Sequence, residues 1–325
     1  MSAGTTSPPL FERLAIVGMG LIGSSLARAA ARDGLAGSTV GCARTQATRD
    51  TALALGLADA MFEEPAEAVD GADLVVLCTP LGAYADVAEA MAPGLAPGAI
   101  VTDVGSVKQA AIRDVGPSLP SGVHFVPGHP VAGTEHSGPE SGFAELFDDR
   151  WCILTPPPGT DSGAVEKVTA LWRACGSTIQ IMEPAHHDKV LAITSHLPHL
   201  IAYTIVGTAS NLEDSERAEV VKFSASGFRD FTRIAASDPI MWRDIFLNNR
   251  EAVLEMLQRF NEDITALQRA IRWGEGEVLE HLFRRTREIR AGVIEAHQAG
   301  TFDTREREKV EPEEAAPEIE GPREE

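Results

Sequence analysis

The stretch that most restricts what this chain can fold into is an apolar run, Leu14 to Val17, passing directly into GMGLIG at Gly18 to Gly23 and then into a helically spaced segment, Ser24 to Arg32. Gly18 permits a tight turn, Gly20 leaves no Cβ between the backbone and a pyrophosphate, and Gly23 lets a helix pack closely on the strand. The helix then offers unpaired N–H groups and the positive end of its dipole to phosphate. Alone, GxGxxG is a weak signal. With a strand before it, a helix after it and a place near the start of an α/β region, it points to a dinucleotide site, the bland alternative being the same turn without a ligand. Gly18, Met19, Gly20, Leu21, Ile22 and Gly23 are the predicted cofactor contacts, together with Arg44, Thr45 and Thr79.

Arg44 and Thr45 bear on which dinucleotide binds. NAD sites usually carry an acid at the end of the second strand, where it accepts hydrogen bonds from the adenosine ribose. Here that strand ends VGCARTQ, with Ala43 in the acid's place. Arg44 suits a 2′-phosphate or stacking on adenine, which leans the expectation toward NADP; a solvated arginine at a strand end is the other reading.

Further strand-like runs follow at Thr39 to Cys42, Leu74 to Cys78, Ile100 to Thr102, His124 to Val126, Cys152 to Leu154 and Ile179 to Met182, alternating with helical segments such as Pro80 to Met91. Near-continuous apolar strands separated by helices predict a parallel sheet covered on both faces. Beyond Glu183 and Pro184 the strand signal stops and the chain reads as helices. Val253, Met256, Phe260, Ile264, Leu267 and Ile271 recur at steps of three and four, as one buried stripe requires. That stripe fits an internal core and a subunit interface equally well. From Thr301 to Glu325, ten acidic and four basic residues with few apolar side chains predict a solvated tail.

The expected organisation is a flexible arm at residues 1–10, an α/β dinucleotide-binding domain of the Rossmann type at 11–184, an all-helical substrate and dimerisation domain at 185–300, and a disordered acidic tail at 301–325. With 48 Asp plus Glu against 28 Lys plus Arg, the net charge of minus 20 makes nucleic acid an unfavourable partner. The first ten residues carry neither a basic nor an apolar run, so a cytoplasmic location is expected. Val190 to Ala209 is apolar but interrupted by His196, Pro198 and His199, which argues against a bilayer span. Cys42, Cys78, Cys152 and Cys175 lack CxxC spacing and are read as reduced core thiols.

Four more segments are not generic: DVGSVK at Asp103 to Lys108, GHPVAGTEHSG at Gly128 to Gly138, SHLPH at Ser195 to His199, and GFRDFTRIAASDPIMWRDIF at Gly227 to Phe246. With GMGLIG they resemble, in order and spacing, the prephenate dehydrogenase (TyrA) family, which includes arogenate and cyclohexadienyl dehydrogenases; the resemblance runs from about Leu14 to about Glu295. It implies NAD(P)-dependent oxidative decarboxylation of prephenate to 4-hydroxyphenylpyruvate in tyrosine biosynthesis, by a homodimer. Arogenate preference or dual specificity is the nearest alternative, and a nicotinamide-binding sensor without turnover belongs to another class.

By the same resemblance His129 accepts the C4-hydroxyl proton, as suits an imidazole neutral near pH 7, and Ser106 orients it. Ser106 is also placed to cap a helix beginning at Val107. His199 and Ser195 are implied in substrate binding, and Arg233 in holding a carboxylate, against the plainer reading of an arginine paired with Asp230. Thr134 and Glu135 match pocket residues, Glu135 being a partner for Arg233. Trp242 matches a residue presented by a second subunit, with a core tryptophan as the alternative. His196 reads as structural, and HxxH without an acidic third ligand as no metal site.

Overall fold

The computed structural model describes residues 8–211 and 225–295; the expected acidic tail lies outside them, as does most of the expected N-terminal arm. The α/β part runs β1 (Phe11–Val17), α1 (Leu21–Asp33), β2 (Ala36–Cys42), α2 (Gln46–Ala54), β3 (Ala60–Phe62), α3 (Pro65–Val69), β4 (Leu74–Leu77), α4 (Tyr84–Met91), β5 (Ile100–Asp103), α5 (Lys108–Val115) and β6 (His124–Val126). These strands form a six-stranded parallel sheet in the order β3-β2-β1-β4-β5-β6. Strand order reverses between β1 and β4, and the glycine loop leaves the carboxyl end of β1 at that switch point, where open α/β sheets bind ligands.

Side chains alternate across the sheet. Leu14, Ile16, Leu74 and Val76 join one apolar cluster with α1; Ala15, Val17, Val75 and Leu77 join the other with α3, α4 and α5. Burial on both faces explains why these strands read as unbroken apolar runs.

The expectation of one parallel sheet needs correction. β7 (Gly128–Pro130), β8 (Trp151–Leu154) and β9 (Thr178–Ile181), with α6 (Ser162–Ala174) between the last two, form a separate three-stranded sheet. In it β7 runs antiparallel to β8, and β8 parallel to β9. Pro127 has no N–H with which to continue the ladder of β6, so the chain leaves the large sheet there and pairs anew. β3 and β7 are only three residues long, too short to show a period.

The remaining described elements are α7 (Pro184–Leu191), a π-helical turn (Ala192–His196), α8 (Leu197–Ser210), α9 (Ser226–Thr232), α10 (Pro239–Asn248), α11 (Arg250–Trp273) and α12 (Gly276–Glu295). From Pro184 to Ser210 the helical stretch is long and apolar enough, by length and composition, to cross a membrane. It nevertheless carries the buried polar residues His187, Asp188 and His196, each bonded to another element.

The chain divides into two compact units, one ending at Gln258 and one beginning at Arg259, not at the change from α/β to helical sequence. The first unit reaches so far because Trp242 and Ile245 of α10 pack into the cluster beneath the sheet with Tyr84, Met91 and Val107. Of the expected buried stripe, Val253 and Met256 are buried in this unit. In the second unit Ile264 and Ile271 are 46% and 67% exposed, and Trp273, Val278, Phe283 and Ile289 are exposed too. The stripe is therefore helical, but the described residues of the second unit do not cover it along its length.

Candidate active site

The glycine loop is built as its spacing predicts. Gly18 has φ +106°, and a Cβ there would lie 2.7 Å from the Cys78 backbone. At Gly23 a Cβ would overlap the carbonyl oxygen of Gly18, so only glycine lets α1 approach β1 this closely. Gly20 is the N-cap residue of α1, and a Cβ on it would enter open space. The first turn of α1 has neither a side-chain cap nor an acidic residue, which leaves its N-terminus to a phosphate. Beside Gly18, the hydroxyl of Thr79 is buried without a hydrogen-bond partner. An orphaned donor next to an open glycine backbone fits a dinucleotide, and Met19, Leu21 and Ile22 complete the loop.

At the end of β2, Ala43 is buried and Arg44 exposed. Thr45 is engaged as N-cap of α2, its hydroxyl accepting the Thr48 N–H at 3.2 Å. Sequence reasoning missed Arg49, whose buried guanidinium donates to the carbonyls of Ala43 (2.7 Å) and Arg44 (3.1 Å) and to Glu63 (2.7 Å), fixing the shape of this turn.

β7 carries His129 into the interior. Its Nδ1 lies 2.8 Å from His187 Nε2, and His187 Nδ1 lies 2.9 Å from Asp188 Oδ1. Asp188 also accepts the backbone N–H groups of Lys108 (2.7 Å) and Gln109 (3.0 Å). Burial opposes ionisation of Asp188, but these bonds outweigh it and hold the carboxyl below its usual range. An ionised Asp188 requires the proton of His187 on Nδ1. His187 Nε2 then has only a lone pair, so the proton of His129 sits on Nδ1 and its Nε2 is the free acceptor. Burial, reinforced by His187, Lys108 and His196, pushes the pKa of His129 well below its usual 6.5. The site thus holds a neutral imidazole in one tautomer.

This arrangement corrects the capping expected of Ser106: α5 starts at Lys108 with Val107 as N-cap residue and no side-chain cap from its own end, while Nδ1 of His129 is held by His187. Asp188, from α7, takes over the capping.

A second group lies on the helices. The π-helical turn contains Ser195, whose carbonyl accepts from His199 Nδ1 at 2.9 Å. The His199 ring stacks on Trp242 of the same chain, with centroids 3.6 Å apart and planes 22° apart. Trp242 thus meets His199 without a second subunit, and the core-tryptophan alternative describes its packing. His196 is fully buried; its Nδ1 accepts from Asn249 Nδ2 at 3.0 Å, while its Nε2 has no partner. Asn249 also donates to the backbone carbonyl of Asp188 at 2.8 Å, tying the C-terminal end of α10 to the histidine relay. Among the described residues no three His, Cys, Asp or Glu side chains converge to hold a metal ion.

The loop after β7 carries Thr134, whose hydroxyl accepts the His136 N–H, and Glu135. Arg233, at the end of α9, donates to Glu135 Oε2 at 2.8 Å, in place of the Asp230 pairing weighed from sequence. Glu135's own backbone N–H, and against the effect of burial also Arg233, holds this carboxyl low. Sequence reasoning named most of these residues but missed His187, Asp188, Lys108 and Asn249.

Comparison with known proteins identifies the family. Residues 26–181 match the family described as prephenate dehydrogenase, nucleotide-binding domain, and residues 183–285 match prephenate dehydrogenase, dimerization domain. A cyclohexadienyl dehydrogenase of Zymomonas mobilis is 43% identical over 89% of this chain and 98% of its own. The structure of prephenate dehydrogenase from A. aeolicus in complex with hydroxyphenyl propionate and NAD+ superposes with a TM-score of 0.79, at 35% identity over 88% of this chain and 98% of that one. The arogenate dehydrogenase of Synechocystis does so with a TM-score of 0.72, at 29% identity over 86% and 99%. On these matches the chain belongs to the prephenate dehydrogenase family as an NAD(P)-dependent oxidoreductase.

Proposed function

We propose that the chain oxidatively decarboxylates prephenate to 4-hydroxyphenylpyruvate, with His129 Nε2 accepting the C4-hydroxyl proton. The observation that carries this reading is the Asp188–His187–His129 relay, which leaves one lone pair free at neutral pH. The loop from Gly18 to Gly23, with Thr79 beside it, would hold the pyrophosphate of a nicotinamide dinucleotide, which would supply the hydride acceptor. As hydride leaves C4, His129 takes the hydroxyl proton and the C4 oxygen becomes a carbonyl. Loss of CO2 from C1 returns the electron pair to the ring, and His129 hands its proton to the resulting phenolate oxygen. The base thus ends neutral, as it began. Proton transfer of this kind contributes about 10² to 10⁴ in rate.

Arg233 grips a substrate carboxylate by exchanging its bond to Glu135, and His199, backed by Trp242 and Ser195, meets the substrate beside it. Thr134 lines the same loop, and Ser106 is assigned to the C4 oxygen. Exposed Arg44 and the missing acid at Ala43 favour NADP. The exposed apolar residues of α11 and α12 support a homodimer, the role named in the description of the matching family. Dual use of prephenate and arogenate is supported by the cyclohexadienyl relative. Four free cysteines support a reducing, cytoplasmic setting.

The test follows nicotinamide reduction with prephenate and with arogenate, each under NAD+ and NADP+. Turnover is expected with prephenate, and a preference for NAD+ above about a hundredfold removes the role given to Arg44. His129→Asn should lower kcat by about 10² or more with little change in KM. Near-normal turnover in that variant discards His129 as the base.

A further inference from the structure

Lys108 is fully buried, yet nothing in the reaction described above uses its side chain. Its Nζ donates to Asp103 Oδ2 at 2.5 Å and, very closely, to the backbone carbonyl of Gly128. Asp103, also fully buried, accepts in addition from the Tyr84 hydroxyl (3.0 Å), Gly105 N–H (2.8 Å) and Gly128 N–H (3.1 Å). Gly128 precedes His129 in β7, so both of its backbone polar groups are held by one ion pair anchored on β5 and α5.

The main chain of Lys108 closes the figure. Its N–H is the group that Asp188 Oδ1 accepts at 2.7 Å, and from Asp188 the bonds run through His187 to the ring of His129. Starting at His129, one can pass from ring to His187, to Asp188, to the Lys108 backbone, along the Lys108 side chain to the Gly128 carbonyl, and back. Backbone and imidazole of the same catalytic strand are thus fixed from one residue.

A buried ammonium is costly and shifts its own pKa down, burial being the main cause with Asp103 opposing it. An apolar side chain would fill this space without that cost. A cation here gives something that packing does not, namely a fixed positive charge beside the strand that bears the base.

We propose that Lys108 is a positioning residue for the reaction, which sets the place of His129 through the Gly128 carbonyl and keeps its imidazole neutral by the charge beside it. This rests on His129 as proton acceptor. The groups facing His129 are His187 of α7 with Asp188 behind it, His196 of the π-helical turn, Lys108 of α5, Asp103 of β5 through the Gly128 N–H, and Cys152 of β8. Lys108 is the one amine among them, and its charge is one cause of the low His129 pKa.

The sign follows. Turnover needs neutral His129, so it fails as pH falls through the pKa of that residue; removing the cation raises the pKa and moves the acid limb of kcat upward. Lys108→Met should lower kcat at least about tenfold, keep KM for prephenate and cofactor within about threefold, and shift the acid limb up by about one pH unit. Lys108→Arg, which keeps the charge, should leave the limb where it is in the wild type even if the larger head slows turnover. A folded Lys108→Met enzyme with kcat within twofold, or one with lower kcat but an unmoved limb, overturns the proposal, since a merely structural lysine would give the latter. If Lys108→Met does not fold, Asp103→Asn with Lys108→Met avoids an unpaired buried carboxylate and carries the same readout. Histidine ¹⁵N spectra of the wild-type enzyme stand independent of any variant: a His129 midpoint near 6.5 overturns the proposal, and Nδ1–H with a midpoint well below the ordinary histidine value supports it. Turnover surviving in His129→Asn would instead remove the reading on which this one rests.

Discussion

His129 is held by buried partners, His187 and behind it Asp188, that are bonded to one another, whereas Arg233, with 52% of its side chain exposed, meets a Glu135 that is 28% exposed. The first region is preorganised: tautomer, ring angle and charge state are fixed before any substrate arrives, so reaction costs no rearrangement there. The second is exchangeable, because a surface ion pair is worth little and a bidentate carboxylate can replace it at small cost. On the proposed function a proton acceptor has to be held in place while an anionic substrate enters and leaves, and the two regions are built for those different tasks.

The sharpest way to break this contrast is to alter the relay at its far end. Asp188→Asn keeps the shape but removes the charge that dictates the tautomer, and kcat should fall at least about a hundredfold with KM changed less than about threefold. A loss confined to KM would show that the relay binds rather than orients.

Next in size is the response to acid. His129, His187 and His196 all have folded-state pKa values below 6.5, chiefly through burial, His196 being lowered to about 4. The unfolded chain binds protons below pH 6.5 that the folded chain refuses, so stability is full above that pH and declines as pH falls toward 4. His196 alone should account for about 3 kcal/mol across that window, seen as a falling denaturation midpoint in urea. A midpoint flat from pH 7 to 4.5 would contradict the neutral relay.

The exchangeable side should give smaller numbers. Arg233→Ala is expected to raise KM for prephenate about ten- to a hundredfold with kcat lowered far less, matching the loss of a charge-assisted bond of about 1.5 to 3 kcal/mol. Glu135→Gln should change KM by no more than about threefold, because it removes only the partner that substrate displaces. Comparable losses in both variants would mean that Glu135 is itself part of the substrate grip.

Legibility in the sequence followed the physics of each feature. The glycine loop was readable because backbone clearance admits only glycine at Gly18 and Gly23, and the sheet because strands buried on both faces must be apolar throughout. His129, His199 and Arg233 were readable through motifs spread over five segments. His187 and Asp188 were not, since a residue 58 positions from His129 declares no partner, and HHD inside a short helix looks like an ordinary solvated helix face. Lys108 was hidden for the same reason: in SVK it resembles a solvent-facing residue, and only β5 and β7 closing over it show otherwise. The capping role given to Ser106 failed because the cap for α5 comes from another helix, which no local rule can foresee.

The bond from Lys108 N–H to Asp188 spans 80 residues, and the one from Asn249 to Asp188 spans 61. Contacts this distant along the chain are paid in loop-closure entropy and form late. A partly folded α/β region can therefore own its glycine loop while His129 is still unheld, and the relay is complete only once α7 and Asn249 have met.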